Sequence, residues 1–170
     1  EIGASEIFGL VGPDGAGKTT LLQIMAAILD PSEGRCTTLG ADTVREASQV
    51  TSHIGYMAQG FTLYGQLRVA ENLEFAAQAR DVSAETFRGR RDRLLAMAGL
   101  TPFLDRREEN LSGGMRKKLA LCANLIHRPP LLLLDEPGLG VDPVSRRDLW
   151  TILEEFRREG TTVVFSTSYI

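Results

Sequence analysis

The sequence predicts an α/β protein: a parallel sheet flanked by helices, with a helical segment inserted between two strands. Three observations predict it. A glycine-rich stretch at residues 12–20 lies between a short apolar run and a run of helical pattern. Leu131-Leu132-Leu133-Leu134 is a continuous apolar run, the composition of a strand buried on both faces in a parallel sheet. Between them, residues 69–111 are rich in Ala, Arg and Glu and helical in pattern.

Composition narrows the class. At 170 residues, 43% hydrophobic and 24% charged, the chain can bury a core as one domain, residues 1–170. No apolar run approaches the roughly 20 residues that span a bilayer. A net charge of -3 is not the footprint of a nucleic-acid binder, so no nucleic-acid partner is expected. Arg88 to Arg93 is read as a solvated helix face. Cys36 and Cys122 are far apart, without C-x-x-C spacing, and are read as reduced cytosolic thiols. His and Cys form no metal-ligand cluster.

In chain order, residues 6–11 read as a short buried strand and residues 20–29 as a helix, ended by Asp30-Pro31. Residues 35–39 read as a strand, 44–50 as a short helix and 53–57 as a strand that places His53 at a surface strand edge. Residues 69–80 and 84–98 are helical, with Leu94, Leu95 and Met97 on an apolar face. A helix follows over residues 116–127, with His127 in its last turn beside the helix C-terminus. After the leucine run come Asp135-Glu136-Pro137, a helix over 144–159 and a last strand over 161–166. Both ends read as cut short of a complete domain.

Gly12-Pro13-Asp14-Gly15-Ala16-Gly17-Lys18-Thr19-Thr20 has the spacing G-x-x-x-x-G-K-[ST], a phosphate-binding loop between strand and helix. Its glycines let successive N–H groups turn toward phosphate oxygens. The helix that follows adds its unpaired N–H groups and the positive end of its dipole. Lys18 supplies a cation to the β- and γ-phosphates, and Thr19 a hydroxyl to Mg²⁺. The expectation is a site for a nucleoside triphosphate with Mg²⁺. An apolar strand ending in acids completes such a site, because ligands sit beyond the carboxyl ends of parallel strands. Asp135 is the candidate Mg²⁺ ligand. Glu136 is the candidate base that orients and deprotonates the attacking water.

Leu111-Ser112-Gly113-Gly114-Met115 resembles the L-S-G-G-Q signature of ABC-transporter ATPase domains. The other elements follow in family order: phosphate loop, Gln59, signature, Asp135-Glu136, then Gly140-Val141-Asp142-Pro143, which resembles the D-loop. The resemblance implies a P-loop NTPase core with a parallel sheet and an inserted helical subdomain at about residues 69–111. It implies a second ABC ATPase domain, fused or separate, paired head to tail so that two ATP molecules are sandwiched. Each ATP would meet one domain's phosphate loop and the other's Ser112, Gly113 and Gly114, with Asp142 coupling the sites. Gln59 would contact Mg²⁺ and the attacking water. Membrane-spanning transporter subunits are the implied partners, with the domain peripheral on the cytoplasmic face of the membrane. Phe61-Thr62-Leu63-Tyr64, Val69-Ala70-Glu71-Asn72-Leu73, Met115 and Arg146-Arg147-Asp148-Leu149-Trp150 look like bacterial drug-exporter ATPases. The ending Ser166-Thr167-Ser168-Tyr169 looks like the first half of YbhF-type proteins, which carry two fused ATPase halves.

The sequence departs from the pattern at two places. Met115 stands where the signature has Gln. Ser168 stands where the family has its switch histidine, and neither His53 nor His127 is placed to substitute. The family's adenine-stacking aromatic is expected before Glu1. Two other readings follow from these departures and from the family's breadth: a degenerate half that holds ATP as a dimer staple, and a soluble ABC ATPase without a transport role.

Overall fold

The computed structural model describes residues 1–60 and 63–168. Phe61 and Thr62 of the exporter-like stretch, and Tyr169 of the chain's ending, lie outside the described residues. The elements in order are β1 (Ile7–Val11), α1 (Lys18–Met25), β2 (Thr37–Thr38), β3 (Ala41–Asp42), α2 (Ala47–His53) and β4 (Ile54–Met57). Then come α3 (Val69–Gln78), α4 (Ala84–Met97), α5 (Gly113–Leu125), β5 (Leu131–Leu134), α6 (Pro143–Arg158) and β6 (Thr162–Thr167). The chain divides into two compact units: residues 1–59, 129–137 and 157 onward, and residues 60–128 with 138–156.

The first unit holds a four-stranded parallel sheet in the order β1-β6-β5-β4. All four residues of β5 are buried, as its apolar run requires at a central position. Leu22 of α1 and Ala26, which follows its last residue, pack with Ile54, Leu131, Leu133 and Val164 into a core on the sheet. Each fully buried leucine there contributes about 1.5–3 kcal/mol of transfer free energy. β1 differs from the expected buried strand. Among the described residues it pairs with β6 alone, at the sheet edge, and Phe8 and Val11 are exposed.

Helix boundaries shift for local reasons. α1 starts at Lys18, two residues before the expected start, because Gly17 at φ 88 leads directly into the first turn. It stops at Met25, short of residue 29. Ala27 adopts φ 55, and the N–H groups of Ala27 and Ile28 return to the Ile24 and Gln23 carbonyls, a Schellman closure. α2 begins at Ala47, past the expected residue 44. The Asp42 carboxylate accepts from the N–H groups of Val44 and Arg45, and Glu46 accepts from that of Asp42, so these residues form a turn. His53 is on the surface, as expected, but as the last residue of α2; its Nδ1 is 2.8 Å from the Gln49 carbonyl.

The second unit is helical. Leu73, Leu95, Leu119, Leu125 and Ile152 are buried in it. Ser83 caps α4 by accepting from the Thr86 N–H, a contact that stabilises a helix start by about 1 kcal/mol. Buried Asn72 accepts from the Tyr64 N–H and donates to the carbonyls of Tyr64, Leu67 and Arg68, so it clamps the loop before α3. The arginine run is not simply a solvated face. Arg90 donates to the Ile126 carbonyl, and Arg93 pairs with Glu155 at 2.6 Å while lying over the Phe156 ring. α5 ends at Leu125, so His127 lies beyond the helix and not in its last turn.

Candidate active site

The sheet's carboxyl ends bring four segments together within the first unit: the loop after β1 and the residues that follow β4, β5 and β6. β1 runs into the phosphate loop, and the N–H of Gly12 donates to the Thr167 carbonyl at 3.3 Å, tying the loop to the end of β6. β4 and β5 are in register with Met57 opposite Leu134. Gln59 and Glu136 therefore each lie two residues past the last paired position of adjacent strands.

The loop has the backbone its motif calls for. Gly15 and Gly17 adopt φ 80 and 88, and a Cβ at either would point into open space. Lys18 Nζ donates to the carbonyls of Gly12 at 2.7 Å and Pro13 at 3.0 Å, and lies 3.6 Å from Glu136 Oε1. The cation is thus folded over the cradle on weak carbonyl partners that phosphate oxygens would replace, and the loop's residues fit a nucleoside triphosphate.

Asp135 is 1% exposed and held on three sides. Its N–H donates to the Met57 carbonyl. Oδ2 accepts from the Thr19 hydroxyl at 2.7 Å, and Oδ1 from Ser166 Oγ at 2.6 Å. The adjacent Thr19 hydroxyl and Asp135 carboxylate are hard oxygen donors, and they fit Mg²⁺, which takes one or two protein oxygens and completes its shell with phosphate and water. Among the described residues no cluster of three or more His, Cys, Asp or Glu makes a self-sufficient metal cage. Burial first, and the Asp135 charge second, push the Tyr56 phenol above its usual range, so it stays a neutral hydroxyl.

Glu136 is 7% exposed and sits at φ 48. A non-glycine residue in the left-handed region costs on the order of 1–3 kcal/mol, and such strain concentrates at functional sites. Ser166 offsets it: its Oγ accepts from the Glu136 N–H at 2.9 Å. Ser166 is fully buried and holds both acids, a role that no motif in the sequence marks. Its place two residues before Ser168, one near the end of β6 and one just past it, is the spacing that puts both side chains on one face. Ser166→Ala is expected to destabilise the fold by about 1–3 kcal/mol, by removing the hydroxyl that bonds both a buried carboxylate oxygen and a strained N–H. Chemical denaturation with an unchanged m-value checks it.

Ser168 Oγ lies 2.6 Å from Glu136 Oε1, 2.6 Å from Asp14 Oδ1 and 3.5 Å from Lys18 Nζ. The residue at the switch position is therefore bonded to the candidate base and to the phosphate loop together.

The remaining predicted residues gather in the second unit. α5 begins at Gly113, earlier than the expected residue 116, so the signature glycines form its first turn. Ser112 caps it by accepting from the Met115 N–H at 3.2 Å. Gly114 is buried against the start of α6: a Cβ there would meet Ser145 Oγ at 2.5 Å and Asp142 Oδ2 at 2.9 Å. The Asp142 carboxylate accepts from the N–H groups of Val144 and Ser145, and the Ser145 backbone bond foremost holds its pKa below the usual range. Signature and Asp142 thus form one cluster, while the phosphate loop, Gln59, Asp135, Glu136 and Ser168 form the other.

A phosphate loop on β1, an acid pair on β5 and a parallel sheet with a helical unit define a P-loop ATPase fold of the α/β class. A family model for ABC transporters matches residues 1–138, and the chain belongs to that family. It is 46% identical over 99% of its length to the probable multidrug ABC transporter ATP-binding protein YbhF of Escherichia coli, of which it covers 29%. It is 38% identical over 96% of its length to the daunorubicin resistance ATP-binding protein DrrA3 of Streptomyces coeruleorubidus, of which it covers 52%. The chain thus spans about half or less of these relatives. Among solved structures, it superposes on a dimeric ATP-binding cassette in a post-hydrolysis state bound to ADP and Pi. The TM-score is 0.87 at 29% identity, covering 98% of this chain and 76% of that one. No helix among the described residues is long and apolar enough to cross a membrane.

Proposed function

We propose that this chain is the ATP-binding and ATP-hydrolysing domain that powers an ABC exporter of drugs or other hydrophobic solutes. The observation that carries the reading is the convergence of Lys18, the Thr19–Asp135 pair and Glu136 at one end of the sheet. The loop's N–H groups and Lys18 bind and orient the triphosphate. Thr19 and Asp135 would hold Mg²⁺, which supplies charge neutralisation to the phosphate oxygens when bound. Glu136, fixed by Ser166 and Ser168, takes a proton from water, and Gln59 orients that water from the neighbouring strand end. The capped N-terminus of α5, with Ser112, Gly113 and Gly114, is offered to the nucleotide of a second ATPase domain, and Asp142, against Gly114, couples the two.

A membrane partner is supported by a groove of about 160 Å³ in the second unit, lined by Tyr64, Asn72, Phe75, Arg80, Asn124 and His127. Tyr64 and Phe75 are 50% and 46% exposed and meet edge to face with ring centroids 4.7 Å apart. Exposed paired aromatics suit a helical segment of a membrane subunit on the cytoplasmic side. The replacement of a histidine by Ser168 favours a second reading, in which this half holds ATP without turning it over.

Drug efflux separates these readings from a role outside transport. Cells carrying the full-length protein with its membrane subunit should expel a hydrophobic dye in an ATP-dependent manner, and the Glu136→Gln protein should not. Equal dye retention with and without the protein would argue against transport.

A further inference from the structure

We propose that the Asp14 carboxylate is a positioning residue for Glu136, acting through the hydroxyl of Ser168. The inference rests on the reading of Glu136 as the group that activates water. Ser168 Oγ stands 2.6 Å from a carboxylate oxygen of each residue, and Lys18 Nζ approaches it at 3.5 Å. A serine hydroxyl has one proton to give and two lone pairs. Lys18 takes a lone pair, so two carboxylates compete for a single proton.

Lys18 decides what that competition does. Its ammonium lies 3.6 Å from Glu136 Oε1 and compensates the carboxylate's charge. Incoming phosphates claim the same ammonium, and that compensation leaves Glu136. The Ser168 proton then governs where the Glu136 carboxylate points. Asp14, carried on the phosphate loop, draws the proton away from it. Ser168 is therefore more than a shortened switch residue: it links the loop that senses phosphate to the group that activates water.

Replacing Asp14 with Asn changes an acceptor into a donor of the same shape. The amide N–H can donate to Ser168 Oγ, and the hydroxyl proton passes to Glu136 alone. A hydrogen bond to a charged group is large enough to change populations by roughly tenfold. The test is a double-mutant cycle on the full-length protein, with the equivalent glutamate of any second ATPase half replaced throughout, read by single-turnover hydrolysis at saturating ATP and by the melting temperature of the nucleotide-free protein.

Ser168→Ala should slow single turnover by roughly tenfold, and Ser168→Thr, which keeps the hydroxyl, should restore most of it. Asp14→Asn should speed single turnover by roughly threefold to tenfold in the Ser168 protein and lose that gain in the Ser168→Ala background. The melting temperatures of the two single variants should be non-additive in the same way. Additive effects in both readouts, or an unchanged rate in Ser168→Ala, would overturn the inference. Hydrolysis that persists in Glu136→Gln would instead remove the parent reading, so the two failures are distinguishable.

Discussion

Lys18→Ala is expected to weaken ATP binding by about 100-fold or more, measured by titration of a fluorescent nucleotide. The expectation follows from where the ammonium rests. Its partners are two backbone carbonyls, the Ser168 hydroxyl and the edge of the Glu136 carboxylate. Exchanging neutral carbonyls for phosphate oxygens converts weak contacts into charge-assisted ones, each worth about 1.5–3 kcal/mol. The substitution also leaves Glu136, 7% exposed, beside incoming negative charge without its cation. Affinity loss should therefore exceed the loss of the hydrogen bonds alone. Lys18→Arg should not rescue it, because a planar guanidinium cannot fold back over Gly12 and Pro13 as a compact ammonium does.

Glu136→Gln is expected to lower the hydrolytic rate by roughly 10²- to 10⁴-fold while ATP affinity is kept. An amide is close in shape to the carboxylate and can still meet Ser168, and the N–H that bonds Ser166 belongs to the backbone. What it lacks is the basic oxygen. A fused protein with a second ATPase half adds a further expectation: if Ser168 weakens this site, the equivalent change in the other half should cost more of the total activity. Equal losses from the two changes would argue against asymmetry between halves.

The chemistry-bearing segments were legible in the sequence because they are local. Strand, G-x-x-x-x-G-K-T and helix are contiguous, and the leucine run followed by two acids announces both a buried strand and what stands at its end. The family order of Gln59, Ser112 to Met115 and Asp142 was legible for the same reason. What the sequence did not disclose depends on register between distant strands. Ser166 meets Asp135 and Glu136 because β6 lies beside β5, with Phe165 opposite Leu134. Ser168 meets Asp14 because β6 lies also beside β1, with Thr167 opposite Val11. Burial of Gly114 against Asp142 and Ser145 is a contact between two helix starts, visible only once both are folded. The exposed edge of β1 was missed because an apolar pentapeptide reads as buried whether its strand is central or lateral. Asn72 lay inside a stretch recognised for its family pattern, and its work is to clamp a loop.

Rapid-quench single turnover of radiolabelled ATP by the full-length protein, with bound ATP measured in parallel, tests the central claim most directly. The account predicts that, with the equivalent glutamate of any second ATPase half replaced in both proteins, the Glu136 protein and Glu136→Gln bind ATP alike, and that phosphate release collapses in Glu136→Gln alone. Phosphate release at the wild-type rate from ATP-loaded Glu136→Gln would contradict it.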